Sequence, residues 1–487
     1  METLQRTANR GSVSTGFEVG NSALFEADDS SYIRFTNIST YYSSARAKKF
    51  SNSIWIKQTE LGKTNTMVLS YAANGYLEFT STGELNFIMA FRSGSSGSGT
   101  QKQLKSTASF RDTSAWYHIV VAVDTAQSTA ADRVKVYVNG VQITDWATEQ
   151  YPDQNDESAN VYEQHNYIGT WGGGNHTNTG FCGYVAEFYF LSEISASPTD
   201  FGRFDSNGIW IPKLYTGTIT SPSSYLNFSN ASNLAEATSG QDWASGNVNS
   251  VAQATDTCTN NFCTPLIIQS YANTTDIITH TEGGTKLTTG AGTGWRTNMS
   301  TISLSSGKWY FEAKHPGTID GDAIMTGIVP TARFTNSASP NFYSGQSSGD
   351  GIGWYWDSRR FRYDDGSTIS PPQNTVNSGD ILGIALDMDN NYVYSRINGG
   401  AWHNNGSADG DPTSGSSGTG GFAVADEPHM ICTSMYHPNK NFFVNYGGYN
   451  AFPVSSAASD ANGHGVFEYA PPSGYFAICT KNLAEFG

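Results

Sequence analysis

Charge is scarce in this sequence, and positive charge is the scarcer sign. Of 487 residues only 14% are charged, with 27 Lys and Arg against 43 Asp and Glu, for a formal net charge of −16. A nucleic-acid groove needs clustered Lys and Arg, so binding to a phosphate backbone is excluded. No apolar run approaches the length of a membrane-spanning helix. The opening stretch, METLQRTANRGSVSTGFEVG, has no apolar core and does not read as a secretory signal. Long amphipathic helical patterns are missing too. Cysteine is rare: Cys182, Cys258, Cys263, Cys432 and Cys479 are odd in number and widely spread, which is no disulfide framework. Cys258 and Cys263 form one CxxxxC pair with no second pair to complete a zinc site. Free, buried thiols made in a reducing cytoplasm are expected instead.

What is abundant points to strands. Fifty-one Gly and an aromatic content of 13% suit many short strands joined by turns, and the length suits two domains. Residues 1–22 are polar and read as an arm that orders by docking on a partner. From Ala23 short strand-like runs begin: ALFEADDSSYIRF, FSNSIWIKQ, NTMVLSYA and GELNFIMAF. Ser93–Thr100, SGSSGSGT, reads as a flexible loop. Then comes WYHIVVAVDTAQSTAADRVKVYVNG, Trp116–Gly140. In VKVYV the three valines share one face, while Lys135 and Tyr137 share the other. HIVVAV is evenly apolar, as in a central strand covered on both sides. Asn139-Gly140 supplies a turn with positive φ. Ser197-Pro198 predicts a capped helix start.

Residues 206–263 carry sparse apolar content and many turn residues, and read as a connector packing over both neighbours. From 264 a second strand-rich block runs to 487, with GKWYFEAKH, AIMTGIVP, GIGWYWDS, DILGIALDMD, NYVYSRING, NFFVNYGG and GYFAICT as strands. A second flexible loop is expected over Ser407–Gly421, SADGDPTSGSSGTGG.

The stretch AWYHIVVAVDTAQSTAADRVKVYVNGVQI resembles the laminin G-like, concanavalin A-like family, and ALFEADDSSYIRF and GYVAEFYFLSE resemble its opening and late strands. This likeness covers residues 23–205. GKWYFEAKH and GDILGIALDMDNNYVYSRINGG resemble a SPRY domain over residues 264–487. Both resemblances imply bent β-sandwiches, each with a hairpin ending in Asn-Gly. The order of modules, with FGRFDSNGIWIPKLYTG, YLNFSN and TDTCTNNFCT between them and PPSGYFAICTKNL at the end, resembles structural proteins of marine tailed bacteriophages. That resemblance implies a virion component that binds cell-surface glycan.

No catalytic pattern in the sequence is complete. Glycanases of this fold need a strand carrying Glu-x-Asp-x-(x)-Glu, so that acid and nucleophile share a face. Glu26-x-Asp28 is followed by Asp29, Ser30 and Ser31 with no closing Glu, and Asp320-x-Asp322 also lacks one. Asp387-x-Asp389-x-Asn391 has Tyr392 where a calcium loop needs Gly and Asn398 where it needs Glu. Asp153–Glu157, DQNDE, reads as a solvated acidic loop. Gly290–Gly294, GAGTG, is followed by no helix signal and reads as a turn. The nine histidines form no tight ligand pair. No catalytic residue, metal or cofactor is assigned.

One constellation remains as a binding candidate. Gly351–Gly366, GIGWYWDSRRFRYDDG, crowds Trp354, Tyr355, Trp356, Arg359, Arg360 and Tyr363 together, with alternation setting both tryptophans on one face. Either the tryptophans fill the core, or the stretch is a stacking platform with guanidinium donors for sugars or a protein partner. Trp171, near His176 on the Gly-rich loop Gly169–Gly180, is a lesser candidate.

The expectation is an all-β chain: two concanavalin A-like antiparallel β-sandwiches, a laminin G-like jelly roll and a SPRY-like one, joined by a partly packed connector. Its expected function is non-catalytic binding of host cell-surface carbohydrate from a virion surface appendage such as a tail fibre. Other virion proteins are its expected partners through residues 1–20, and a homo-oligomer, for instance a trimer, its expected form. The alternatives are a decoration or connector subunit contacting other virion proteins, and a polysaccharide-degrading enzyme.

Overall fold

The computed structural model describes residues 16–36, 38–63, 66–71, 75–92, 99–159, 165–172, 180–245, 251–272, 278–317, 323–335, 343–345, 351–356, 360–362, 368–369, 377–404, 407–449 and 451–487. The expected arm up to residue 15 and most of the Ser93–Thr100 loop lie outside them. The chain forms two units, 1–261 and 262–487.

In the first unit two sheets face each other. One runs, in spatial order, Val141–Gln142, Val134–Val138, Tyr117–Asp124, Lys49–Gln58, Gly183–Ser192, Ser22–Phe25 and Ala252–Ala254. The other runs Trp146–Glu149, Thr100–Ser109, Glu84–Arg92, Gly75–Phe79, Thr66–Tyr71, His165–Ile168, Ile33–Thr36 and Ala244–Ser245. The expected alternation is present: Val134, Val136 and Val138 are buried while Lys135 and Tyr137 are half-exposed. Tyr117–Asp124 is buried along its whole length, as its even apolarity requires. The core is filled from both sheets, by Ile54, Ile119, Val121 and Val136 from one and Ile33, Phe35, Leu77 and Phe87 from the other. Ser197 opens the expected capped turn, a 3-10 helix over Pro198–Asp200 with a reciprocal capping box.

The segment read as a connector completes this unit. Ser224–Leu226 pairs with Gly183–Ser192, Ala252–Ala254 with Ser22–Phe25, and Ala244–Ser245 with Ile33–Thr36. Its end is held by a buried ion pair. Lys57 Nζ lies 2.7 Å from Asp256 Oδ2 and donates to Asn261 Oδ1 at 2.7 Å, while Trp116 Nε1 donates to the other Asp256 oxygen. Removing one partner of such a pair would strand a buried charge.

The second unit repeats the two-sheet plan. One sheet runs Pro265–Ala272, Arg296–Leu304, His429–Met435, Ile324–Pro330, Ile352–Tyr355, Arg360–Arg362 and Thr368–Ile369. The other runs Ile278–Thr281, Lys286–Thr289, Asn441–Asn445, Lys308–Lys314, Ile381–Asp387, Tyr392–Ile397 and Phe422–Ala423. Trp309, Phe311, Leu382 and Ile384 meet Ile324, Ile328 and Ile431 between the sheets.

The flexible loop expected at Ser407–Gly421 is a correction. It holds a strand, Ser407–Gly410, and 3-10 turns at Pro412–Ser414 and Ser417–Thr419. Asp411 and Ser416 cap the two turns, Ser416 N donates to the Tyr394 hydroxyl at 2.8 Å, and the Tyr475 hydroxyl donates to Pro412 O at 2.8 Å. Two buried tyrosines thus order a segment whose composition reads as a linker. All five cysteines are buried and none is in a disulfide.

Candidate functional site

The outer face of the second sheet in the first unit collects side chains suited to binding. Ile33 and Phe35 point inward, so Tyr32 and Arg34 point outward. Register then places Arg34, Tyr167, Ser70, Tyr76, Ile88 and Gln103 in one row across six strands. One step along, Glu78 pairs with Asn86. Asn86 Nδ2 donates to Glu78 Oε1 at 2.8 Å, and Gln103 Nε2 donates to Asn86 Oδ1 at 3.0 Å. Ser70 pins a loop onto the row: its hydroxyl donates to Thr170 O at 2.8 Å and accepts from Gly172 N at 3.0 Å. Trp171 stands on that loop, between the two bonds, and is half-buried. The Tyr32 and Tyr167 rings meet edge to face at 5.8 Å.

The row is recessed. Tyr167, Glu78 and Asn86 are 5%, 8% and 4% exposed, while Arg34, Tyr76, Ile88 and Gln103 are half-buried. Burial pushes the Glu78 carboxyl up, against the pull of the Asn86 amide. Burial and then the Glu78 charge raise the Tyr76 hydroxyl, while Arg34 counters the upward push of burial on Tyr167. From Arg34 to Gln103 is five strand spacings, about 24 Å. Aromatic faces, amide donors and acceptors, and a cation over that length form a surface for a polar chain-like ligand with apolar patches, as in an oligosaccharide.

The carboxylate nearest Glu78 on this face is Glu84, two residues from the Asn86 that pairs with Glu78. Alternation with the inward Leu85 and Phe87 sets it outward, about 7–8 Å from Glu78. The Thr80 and Thr82 hydroxyls both donate to Glu84 Oε2 and hold its carboxyl low.

Trp354 and Trp356 correct the leading sequence candidate. Both are 0% exposed and lie in the core between the sheets of the second unit. Trp356 Nε1 donates to Thr326 Oγ1 at 3.1 Å, and Trp354 stacks at 6.0 Å on His403. Alternation correctly put the two on one face, and that face is the interior, so neither indole can stack on a sugar. Tyr355, on the opposite face, is half-buried. The backbone of Arg360 lies in a strand paired with Tyr355, and Arg359 and Tyr363 lie outside the described residues.

The sequence reading missed the Arg34 row, and also an aromatic group in the second unit. Trp295 meets Tyr343 at 4.2 Å and Tyr436 at 5.5 Å, and Tyr436 meets His437 at 5.1 Å. The segment read as a turn, Gly290–Gly294, belongs to it. Buried Arg296 donates to Gly292 O, Gly294 O and Tyr436 O, clasping the loop that carries Trp295. An arginine directly after GAGTGW was the available signal.

Three further arrangements bring reactive side chains together. Ser53 Oγ lies 2.7 Å from His118 Nε2, a nucleophile–base distance. Trp210 Nε1, which can only donate, bonds His118 Nδ1 at 3.0 Å. The ring proton therefore sits on Nε2 and points at Ser53, opposite to what a general base needs. Glu26, Glu60 and Cys182 bring ligand atoms within 4.8 Å of one another. The Lys63 ammonium already sits there, 2.5 Å from Glu60 Oε2, 3.3 Å from Asp28 Oδ1 and 3.8 Å from Cys182 Sγ. Asp387 spends its oxygens on Lys308 at 2.8 Å and on its own turn, at Asp389 N and Asn390 N. Asp320 and Asp322 lie outside the described residues.

Two facing antiparallel sheets in each of the two units define an all-β protein of two β-sandwiches. Residues 27–194 match a laminin G family described as the Concanavalin A-like lectin/glucanases superfamily. No curated protein matches the chain. Similar solved structures include the SPRY domain of human HERC1, at 13% identity over 35% of this chain and 92% of its own, with a TM-score of 0.26. A second human SPRY domain is 15% identical over 34% of this chain and 93% of its own, with a TM-score of 0.25. Domain 4 of AbnA, an extracellular arabinanase of Geobacillus stearothermophilus in complex with arabinotriose, is 18% identical over 37% of this chain and 73% of its own, with a TM-score of 0.25. No helix among the described residues is long and apolar enough to cross a membrane.

Proposed function

We propose that this chain is a glycan-binding virion surface protein, a fibre-like appendage of a tailed bacteriophage that holds host cell-surface carbohydrate without cleaving it. The observation that carries the reading is the row of Arg34, Tyr167, Tyr76, Asn86 and Gln103 on a lectin-like sheet, with Trp171 pinned beside it. The virion assignment is supported by the likeness of the module order to phage structural proteins. A shallow site of this kind binds each glycan weakly, and repetition on an oligomer or particle supplies avidity. The carboxylate nearest Glu78, Glu84, is taken up by the Thr80 and Thr82 hydroxyls, which supports holding over cleavage.

A glycan array probed with the full chain, followed by calorimetry on the best ligand, tests this. Tyr76→Ala should weaken binding tenfold or more, about 1.4 kcal/mol, while thermal unfolding stays close to wild type; Asn86→Ala should weaken binding as much and also lower stability, because it strands the buried Glu78 carboxyl. Binding that survives both changes would remove the site, and sugar release from host polysaccharide would replace the reading with an enzymatic one.

A further inference from the structure

Lys57 is a lysine shut away from water. It lies on the internal strand Lys49–Gln58, opposite Tyr184 of Gly183–Ser192. Ile54 and Ile56 enter the core, so Lys57 faces the other way, where the segment 256–261 covers it. Lys57, Asp256 and Asn261 are 0%, 1% and 4% exposed. Other paired lysines keep contact with solvent: Lys49 on Asp124 and Lys308 on Asp387 have side chains 41% and 24% exposed. The Lys57 ammonium lies 2.7 Å from Asp256 Oδ2 and 2.7 Å from Asn261 Oδ1. Two buried aromatic rings close the place. Trp116 Nε1 donates to Asp256 Oδ1 at 3.1 Å, and the Tyr184 centroid is 5.9 Å from Nζ. The Asn261 amide is fixed in turn, its Nδ2 donating to Ser114 O at 2.7 Å. As an ion pair alone, so dry a contact is a costly way to fasten a segment.

An amine, an amide carbonyl and a carboxylate held together without water are the parts of an amide exchange. One C=O bond beyond Oδ1, the side-chain carbon of Asn261 is within about 4 Å of Nζ, near the roughly 3–3.5 Å of a reacting pair. We propose that Lys57 and Asn261 join in an intramolecular isopeptide bond, with Asp256 as the proton carrier. Asp256 takes one proton from the ammonium, and the freed amine attacks Cγ of Asn261. The Nζ–Cγ bond forms and the Cγ–Nδ2 bond breaks. Nδ2 leaves as ammonium, taking a second proton from Nζ and the one held by Asp256. Asp256 returns to its carboxylate, and no oxidant, cofactor or further reactant is consumed. The bond spans 204 positions of sequence and closes most of the first unit into one covalent loop. It is independent of the glycan reading, which concerns the outer face of the other sheet.

Intact-mass spectrometry of the full-length protein tests the bond. The folded wild-type chain should be lighter than its sequence by about 17 Da, one ammonia. Peptide mapping after unfolding should then place the join between Lys57 and Asn261. Asp256→Ala and Asn261→Ala should both keep the full sequence mass. A wild-type chain of full mass that unfolds cooperatively overturns the inference, and this arm needs no variant to fold. So does the same mass loss mapped to an Asn-Gly pair, at Asn139 or Asn398, where ammonia leaves by cyclisation onto the backbone. An Asp256→Ala protein that still carries the join overturns the role given to the carboxylate.

Discussion

Asn139 and Asn398 stand at the same place in two hairpins, one in each unit. Both take positive φ, 48° and 49°. Asn139 Oδ1 accepts from His118 N at 2.7 Å while Asn139 N donates to His118 O at 2.8 Å. Asn398 does the same with Ile381, at 2.9 Å for each bond. The following glycine also takes positive φ in both, and a Cβ on it would fall 2.3 Å from Trp210 at Gly140 and 2.4 Å from Tyr469 at Gly399. What differs is the cover. Asn139 is 2% exposed, beneath a hairpin whose Trp210 is itself tied to His118, whereas Asn398 is exposed and its amide donates to Asp380. One turn is a buried joint and the other a surface joint, so the same local chemistry should have unequal energetic weight.

The largest difference is expected at the glycines. Gly140→Ala forces a methyl into the Trp210 ring, which is 2% exposed, held by His118 and met edge to face by Phe204 at 4.9 Å. With the cost of positive φ added, about 3 kcal/mol should be lost. Gly399→Ala meets Tyr469, which is half-buried and can turn aside, so about 1 kcal/mol is expected. Urea unfolding of the two full-length variants measures both. Equal losses would mean that the cover over the turn contributes nothing.

Acid separates the units next. Burial pushes His118 down to about 3, from an ordinary value of 6.5. The stability of the neutral ring is full above pH 6.5 and is lost as pH falls toward 3, because the unfolded chain takes up the proton first. At pH 5 the loss is about 2 kcal/mol. In the second unit His280 and His403 are both pushed down to about 4 by burial, and each should cost about as much. The first unit has a counterweight. Glu187, which accepts from the hydroxyls of the mutually stacked Tyr189 and Tyr225, is raised by burial to about 7 from 4.5, so it weakens the fold above pH 7 and ceases to do so as pH falls toward 4.5. Glu312 in the second unit is raised in the same direction, against four hydrogen bonds that oppose the shift. Glu187→Gln should therefore gain about 3 kcal/mol at pH 8 and leave the variant with a steeper loss between pH 7 and pH 5. Denaturant midpoints at three pH values decide it. An unchanged pH profile in the variant would show that Glu187 ionises without cost.

These contrasts mark what was legible in the sequence. HIVVAV, VKVYV, both Asn-Gly turns and the Ser197-Pro198 cap carry their signals within a few residues, and each formed as read. The facing of GIGWYWDS was half legible: a period of two says that Trp354 and Trp356 share a side, but only the opposing sheet decides which side is inside. The Arg34 row was not legible at all. Arg34, Ser70, Tyr76, Gln103 and Tyr167 come from separate strands, and each alone is an ordinary outward residue of an alternating strand. Only register brings them together, and a single sequence does not state register. The order in Ser407–Gly421 was hidden similarly, because its anchors Tyr394 and Tyr475 lie outside the segment.

The smallest effect tests the comparison most directly. Asn139→Gly and Asn398→Gly both keep a residue at ease with positive φ, so backbone strain cancels and only the side-chain bond is removed. At Asn139 the His118 N–H would be left in a buried place, with Trp210 excluding water, and about 1–2 kcal/mol should be lost. At Asn398 water can reach the Ile381 N–H, and the loss should be no more than about 0.5 kcal/mol. Amide hydrogen exchange reads the two donors individually. Exchange at His118 should accelerate strongly in its variant, while Ile381, already near solvent, should change little. If Ile381 proves the more strongly protected in the wild-type chain, exposure of the asparagine is the wrong measure of the joint, and the distinction between the two turns collapses.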